Sequence, residues 1–240
     1  MNLGVKDLKF VRDKIEKKEF LKAYEKLQKL LEIHPDNTVL YGFLGLLMFY
    51  LNDLERGFSL LKKAYEIDSG KEFVVNNYIM ALLEKGLLEE AMYVYELNPS
   101  LQKNNIFALV NLMMGNFQKG LEAFENRETK KRIVSSASNF NKTLWKGESL
   151  EGKKILVVCE QGYGDTLHFS NYLPKLSQQA QKVYFLPLEK QESLFKENEK
   201  VLEVETLSYN LSWDGIEYDY YIPLMSLPNY LDSNFSDIHT

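Results

Sequence analysis

The sequence is poor in the residues that most often carry recognisable chemistry. Among 240 residues there is one cysteine, Cys159, so no internal disulfide can form, and a reducing compartment is expected. The three histidines lie far from one another and from Cys159, so no metal-ligand spacing arises and no metal is called for. No apolar run reaches 18 residues, which argues against a membrane span. Residues 1–10 carry Lys6, Asp7 and Lys9 and lack the apolar stretch of a signal peptide; the expected location is the cytoplasm. There is also no excess of positive charge. Residues 1–140 hold 20 Lys and Arg against 19 Asp and Glu, and residues 141–240 hold 9 against 15. The acidic second half repels a phosphate backbone, so nucleic acid is excluded as a partner.

What is present is a repeat. Ala23, Gly57 and Ala91 are 34 residues apart, as are Phe20, Leu54 and Leu88, and Lys18, Asn52 and Gly86. A shortened step of 29 then brings Gly115, Phe117 and Gly120. Paired antiparallel helices explain the residue types: a small side chain is needed where two helices cross closely. Ala23, Gly57, Ala91 and Gly120 meet that need. Tyr41, Leu44, Gly45 and Met48 share one helical face, and Pro35 and Pro99 end helix pairs. Tyr65, Tyr93 and Tyr95 sit at second-helix spacing and are expected to pack between repeats. This pattern resembles the tetratricopeptide repeat, over roughly residues 5–127. The concave face of such a stack is expected to bind a protein or peptide. Asn76, Asn77, Tyr78, Asn104, Asn105 and Asn111 are the groove candidates, because amides can hydrogen-bond an extended backbone; the alternative is that they are ordinary solvated helix residues.

Beyond residue 130 the period changes. Ile155–Cys159 is a continuous apolar run of the kind that forms a buried parallel strand. Further strands are expected at 183–186, 201–204 and 220–222, with helices over 166–178 and 189–196. The organisation read from this is a helical solenoid over 1–130, a connector over 131–150 and a Rossmann-like α/β domain over 151–240, stopped before its sheet is complete. Trp145 is expected to pack the connector on that domain, and Cys159 to be a core strand residue. Gln161-Gly162-Tyr163-Gly164-Asp165 forms a glycine turn after the first strand, where parallel sheets bind ligands. It is neither a dinucleotide fingerprint, since Leu167 stands at the third glycine position, nor a phosphate loop, and no cofactor is called for.

Three segments carry a more specific likeness. Leu144–Leu156 leads into Glu160-Gln161-Gly162-Tyr163-Gly164-Asp165 and on to Tyr172, preceded by Gly115–Arg127 and followed by Asp219–Pro228. Together they resemble bacterial glycosyltransferases that carry tetratricopeptide repeats ahead of a heptosyltransferase-like region, some of which modify flagellin. In heptosyltransferases the aspartate of a Gly-Asp turn takes the proton from the acceptor hydroxyl, and the resemblance implies that role for Asp165. The competing reading makes Asp165 the cap of a helix starting at Thr166. Glu160 and Gln161 either order the turn or touch the acceptor, and His168 either shares the face of Asp165 or is a surface histidine. Such transferases hold the nucleotide-sugar mainly in a second Rossmann-like domain. The resemblance therefore implies the N-terminal part of such an enzyme, inactive unless a donor domain is supplied, for example by a second chain. The alternatives are a non-catalytic scaffold that binds protein through its repeats, and a nucleotide-binding protein that uses the glycine turn.

Overall fold

The computed structural model describes residues 4–102, 104–135, 142–160, 162–208 and 216–231. The chain divides into two compact units, residues 1–102 and 103–240. The first holds α1 (Val5–Glu16), α2 (Phe20–Ile33), α3 (Thr38–Tyr50), α4 (Leu54–Ile67), α5 (Glu72–Glu84) and α6 (Leu88–Leu97). They form three antiparallel hairpins of tetratricopeptide type.

The turn inside each hairpin is the same turn made three times. Lys18, Asn52 and Gly86 have φ of 57°, 62° and 72°, the left-handed region that closes a helix. At each, the next residue's N–H reaches a carbonyl five positions back: Glu19 to Lys14, Asp53 to Met48 and Leu87 to Leu82, at 2.8, 2.9 and 2.9 Å. The 34-residue spacing in the sequence is therefore a spacing of helix stops. Between the helices, small residues sit at the crossings. A Cβ built on Gly45 would lie 2.6 Å from Leu61 Cγ, and one on Gly57 would lie 2.8 Å from the Phe49 ring. Ala23 and Ala91 are fully buried at the matching positions. Asn37 Oδ1 accepts from Val39 and Leu40 N–H and starts α3. Of the three tyrosines, Tyr65 stacks on Tyr78 at 4.8 Å and Tyr95 is fully buried, but Tyr93 is exposed.

The second unit begins with another hairpin, α7 (Asn105–Met113) and α8 (Phe117–Phe124), closed by Gly115 at φ 78°. After α9 (Glu128–Ser135) come β1 (Thr143–Leu144), β2 (Lys154–Val158), α10 (Tyr163–Phe169), α11 (Leu173–Ser177), β3 (Lys182–Leu186), α12 (Glu192–Glu197), α13 (Glu199–Leu202), β4 (Glu205–Thr206), β5 (Tyr220–Pro223) and α14 (Pro228–Leu231). The sheet is parallel, ordered β1-β5-β2-β3-β4. Ile155, Val157, Val183, Phe185 and Ile222 enter the core on one face, with Leu173, Leu176 and Phe195. Leu156, Val158, Tyr184, Leu186 and Tyr221 are buried on the other, so Ile155–Val158 and Val183–Leu186 are apolar on both faces. Trp145 lies in the first of these cores, its indole N–H donating to Glu148 O at 2.8 Å.

The strand expected at 201–204 is not one. Residues 199–202 are α13, Glu203 turns left-handed at φ 55°, and the strand is Glu205–Thr206. Glu199 Oε1 accepts from Thr206 N–H at 2.7 Å, and Val201 is left in solvent. The helix expected over 166–178 starts at Tyr163 and is broken at residues 170–172 by a turn of 3₁₀ helix, with Pro174 restarting it.

Candidate functional site

Because β3 and β4 run out from one side of β2 and β5 returns on the other, the sheet reverses direction between β2 and β5. The carboxyl ends of the strands at such a reversal are where open sheets receive ligands. The loop leaving β2 holds Glu160 and the glycine turn; Gln161 lies outside the described residues.

Gly162 has φ 73° and ψ 115°, and a Cβ there would lie 2.2 Å from Asp165 Oδ2. The dihedral demands glycine, and a side chain there would also push aside the carboxylate folded back over it. The Gly162 carbonyl accepts from Thr166 N–H at 3.0 Å and from Thr166 Oγ1 at 2.9 Å. Nothing lies within 4 Å of where a Cβ on Gly164 would stand. α10 begins at Tyr163, so Asp165 is inside its first turn and is not the cap. The Asp165 side chain stands on an exposed residue of that turn. His168, also exposed, meets Phe169 edge-on at 5.2 Å.

Glu160 does not face solvent. Its side chain is 0% exposed, and Arg127, 2% exposed, grips it with Nε to Oε1 at 2.7 Å and NH2 to Oε2 at 2.6 Å. Thr129 Oγ1 also donates to Oε1, and Met225 N–H to Oε2, both at 3.1 Å. Arg127 uses its other donors on Phe124 O, Glu125 Oε1 and Ser226 Oγ. All five guanidinium hydrogens and four carboxylate lone pairs are engaged. Buried and bonded on all sides, Glu160 has the surroundings expected of the first of its two readings, a group that orders the turn.

On the other flank Gln191, 7% exposed, donates Nε2 to Tyr163 O at 3.1 Å, while its Oε1 is buried without a partner. Beside the turn, burial pushes the Cys159 thiol up to about 12. Among the described residues no group of three or more His, Cys, Asp or Glu is placed to hold a metal ion.

No family model matches the chain. It is similar to Protein FlbA of Caulobacter vibrioides, 26% identical over 164 residues, which are 64% of this chain and 27% of that protein. It is also similar to the mitochondrial import receptor subunit TOM70 of Homo sapiens, 30% identical over 92 residues, 38% of this chain and 15% of that protein. The chain thus spans about a quarter or less of the curated relatives it matches. Among solved structures it aligns with a mutant O-GlcNAc transferase of Thermobaculum terrenum at a TM-score of 0.36 and 16% identity, over 88% of this chain and 43% of that one.

The groove candidates separate. Tyr78 is buried against Tyr65, and Asn111 is 0% exposed with Nδ2 on Phe107 O at 2.9 Å. Asn104 caps α7 by accepting from Phe107 N–H at 2.8 Å, and Asn77 has its Nδ2 buried without a partner. Asn76 reaches Glu72 Oε1 at 3.4 Å on the surface, and Asn105 is exposed. Asn105 is exposed, Asn76, Asn77 and Asn104 are half-buried, and Tyr78 and Asn111 are buried. Sequence reasoning missed Arg127, Thr129, Ser226 and Gln191 as parts of the site. Arg127 stands 33 residues from Glu160 and 99 from Ser226, and nothing local marks it.

Proposed function

We propose that the chain joins a protein-binding helical-repeat arm to the acceptor side of a glycosyltransferase, with Asp165 as general base. The observation that carries this is an exposed carboxylate on a two-glycine turn at the carboxyl end of a central parallel strand. In the reaction, the acceptor hydroxyl oxygen bonds the anomeric carbon of a nucleotide-sugar. The bond from that carbon to the diphosphate oxygen breaks, the nucleoside diphosphate leaves, and the hydroxyl proton passes to Asp165. The 34-residue repeat, and the likeness to an import receptor subunit over 92 residues, support a polypeptide as acceptor. The test offers labelled nucleotide-sugars and serine-rich proteins to the chain, with and without a donor-binding domain added as a second chain. Transfer is expected to disappear in Asp165→Asn at unchanged melting temperature. Transfer at the wild-type rate in that variant removes Asp165 as the base, and no transfer in either arm rejects the enzyme reading.

One feature favours a second reading, a non-catalytic scaffold. In the first unit a groove of about 420 Å³ is lined by Phe20, Leu21, Tyr24, Met48, Leu51, Asp53 and Arg56, with Leu21 70% exposed. Apolar surface of this kind suits a protein partner. Leu21→Glu should abolish partner capture by the whole chain without lowering its melting temperature; unchanged capture would reject the groove as the docking site.

A further inference from the structure

We propose that Arg127 is the positioning residue of the glycine turn, acting through Glu160 to set where the Asp165 carboxylate stands; this rests on the reading of Asp165 as the reacting group. Arg127 follows the α7–α8 hairpin, yet its guanidinium lies between the loops leaving β2 and β5, bonded to Glu160 on one and Ser226 on the other. That is the reversal point of the sheet, where a ligand's phosphate would ordinarily enter. Here the place is taken by an arginine with no donor to spare. The turn is consequently held from two sides. Glu160 is fixed by Arg127, Thr129 and the Met225 N–H, and the Tyr163 carbonyl is fixed by Gln191. Between these two anchors the described part of the turn carries only Gly162. Lys130 pairs with Glu125, which also accepts from Arg127, so the clamp continues into α9. A buried pair as fully bonded as this one is rigid, and removing one partner strands the other.

Hydrogen exchange of the whole chain tests the idea without any sugar. The Thr166 amide, bonded to Gly162 O, reports the turn, and the Leu207 amide, bonded to Phe185 O at 2.7 Å, reports the sheet. Arg127→Lys, which cannot grip both carboxylate oxygens, should speed exchange at Thr166 about tenfold beyond any change at Leu207. Thr129→Val, which removes a single bond to Glu160, should give about threefold and keeps the test open if the arginine variant does not fold. If Thr166 follows Leu207 within about twofold in every variant that folds, Arg127 is only a structural residue and the proposal fails. The base role of Asp165 is judged separately, by transfer in Asp165→Asn, so either idea can fail while the other stands.

Discussion

Replacing Gly45 by alanine should overpack the α3–α4 crossing, and the size of the loss follows from what the new methyl meets. Its carbon would lie 2.6 and 2.7 Å from Leu61 Cγ and Cδ2 and 3.1 Å from the Gly57 carbonyl oxygen. Carbon atoms rest about 3.5–4.0 Å apart, so roughly an ångström must be found. Leu61 is 1% exposed and has nowhere to go, and Gly57 is backbone. Overpacking of this kind costs about 1–3 kcal/mol. Alanine returns about 1 kcal/mol through its helix propensity, leaving a net loss of about 0–2 kcal/mol. Leu61→Ala, a buried truncation, should lose about 2–5 kcal/mol. In the double variant the new methyl occupies space that Leu61 vacated, so the combined loss should fall short of the sum by at least about 1 kcal/mol. Urea unfolding followed by the helical circular dichroism signal measures all three. Additivity within about 0.5 kcal/mol would show that the two side chains do not compete for one space, and the reading of the crossing would be wrong.

The repeated left-handed turn gives a set with both signs. Lys18→Gly should stabilise by about 0.5–1 kcal/mol in the same unfolding assay, and Gly86→Ala should destabilise by about 1 kcal/mol. Cys159 should ignore Ellman's reagent at pH 8 until the protein is unfolded, because its thiol is buried and held up at about 12. An unfolded thiol ionises near 9, so between pH 9 and 12 the unfolded chain has lost a proton that the folded one keeps. Stability from this group is therefore complete below 9 and falls by about 1.4 kcal/mol per pH unit through that window; Cys159→Ala should flatten the fall. Gly162→Ala must both adopt φ 73° and meet the Asp165 carboxylate, so it should lower the melting temperature by several degrees, whereas Gly164→Ala, with open space around it, should shift it far less.

How far these properties could be read in the sequence depended on how locally they are encoded. The hairpins were legible because each stop is set by a residue within five positions of the carbonyl it serves, as Asn52 and Asp53 are with Met48. The parallel sheet was legible because strands covered on both faces must be apolar throughout, as Ile155 to Val158 are. The 201–204 assignment failed because Val201 and Val204 look like strand residues, while Glu199 holds the Thr206 N–H and shifts pairing to 205–206. Asn111 shows a related ambiguity: an amide looks polar in sequence whether it faces solvent or, as here, turns back on its own helix. Arg127 was invisible because its partners are brought to it only by the finished fold.

The place of β5 in the sheet has a consequence for biosynthesis. This strand, residues 220–223, is emitted by the ribosome after the others, yet it belongs between β1 and β2. Until it arrives, one side of β2 is an open ladder of unpaired amides and carbonyls beside bare isoleucine and valine. A nascent chain paused anywhere between Thr206 and Tyr220 would expose that seam to its neighbours on a polysome. Chaperone demand should therefore be concentrated in the brief interval before the inner strand is delivered.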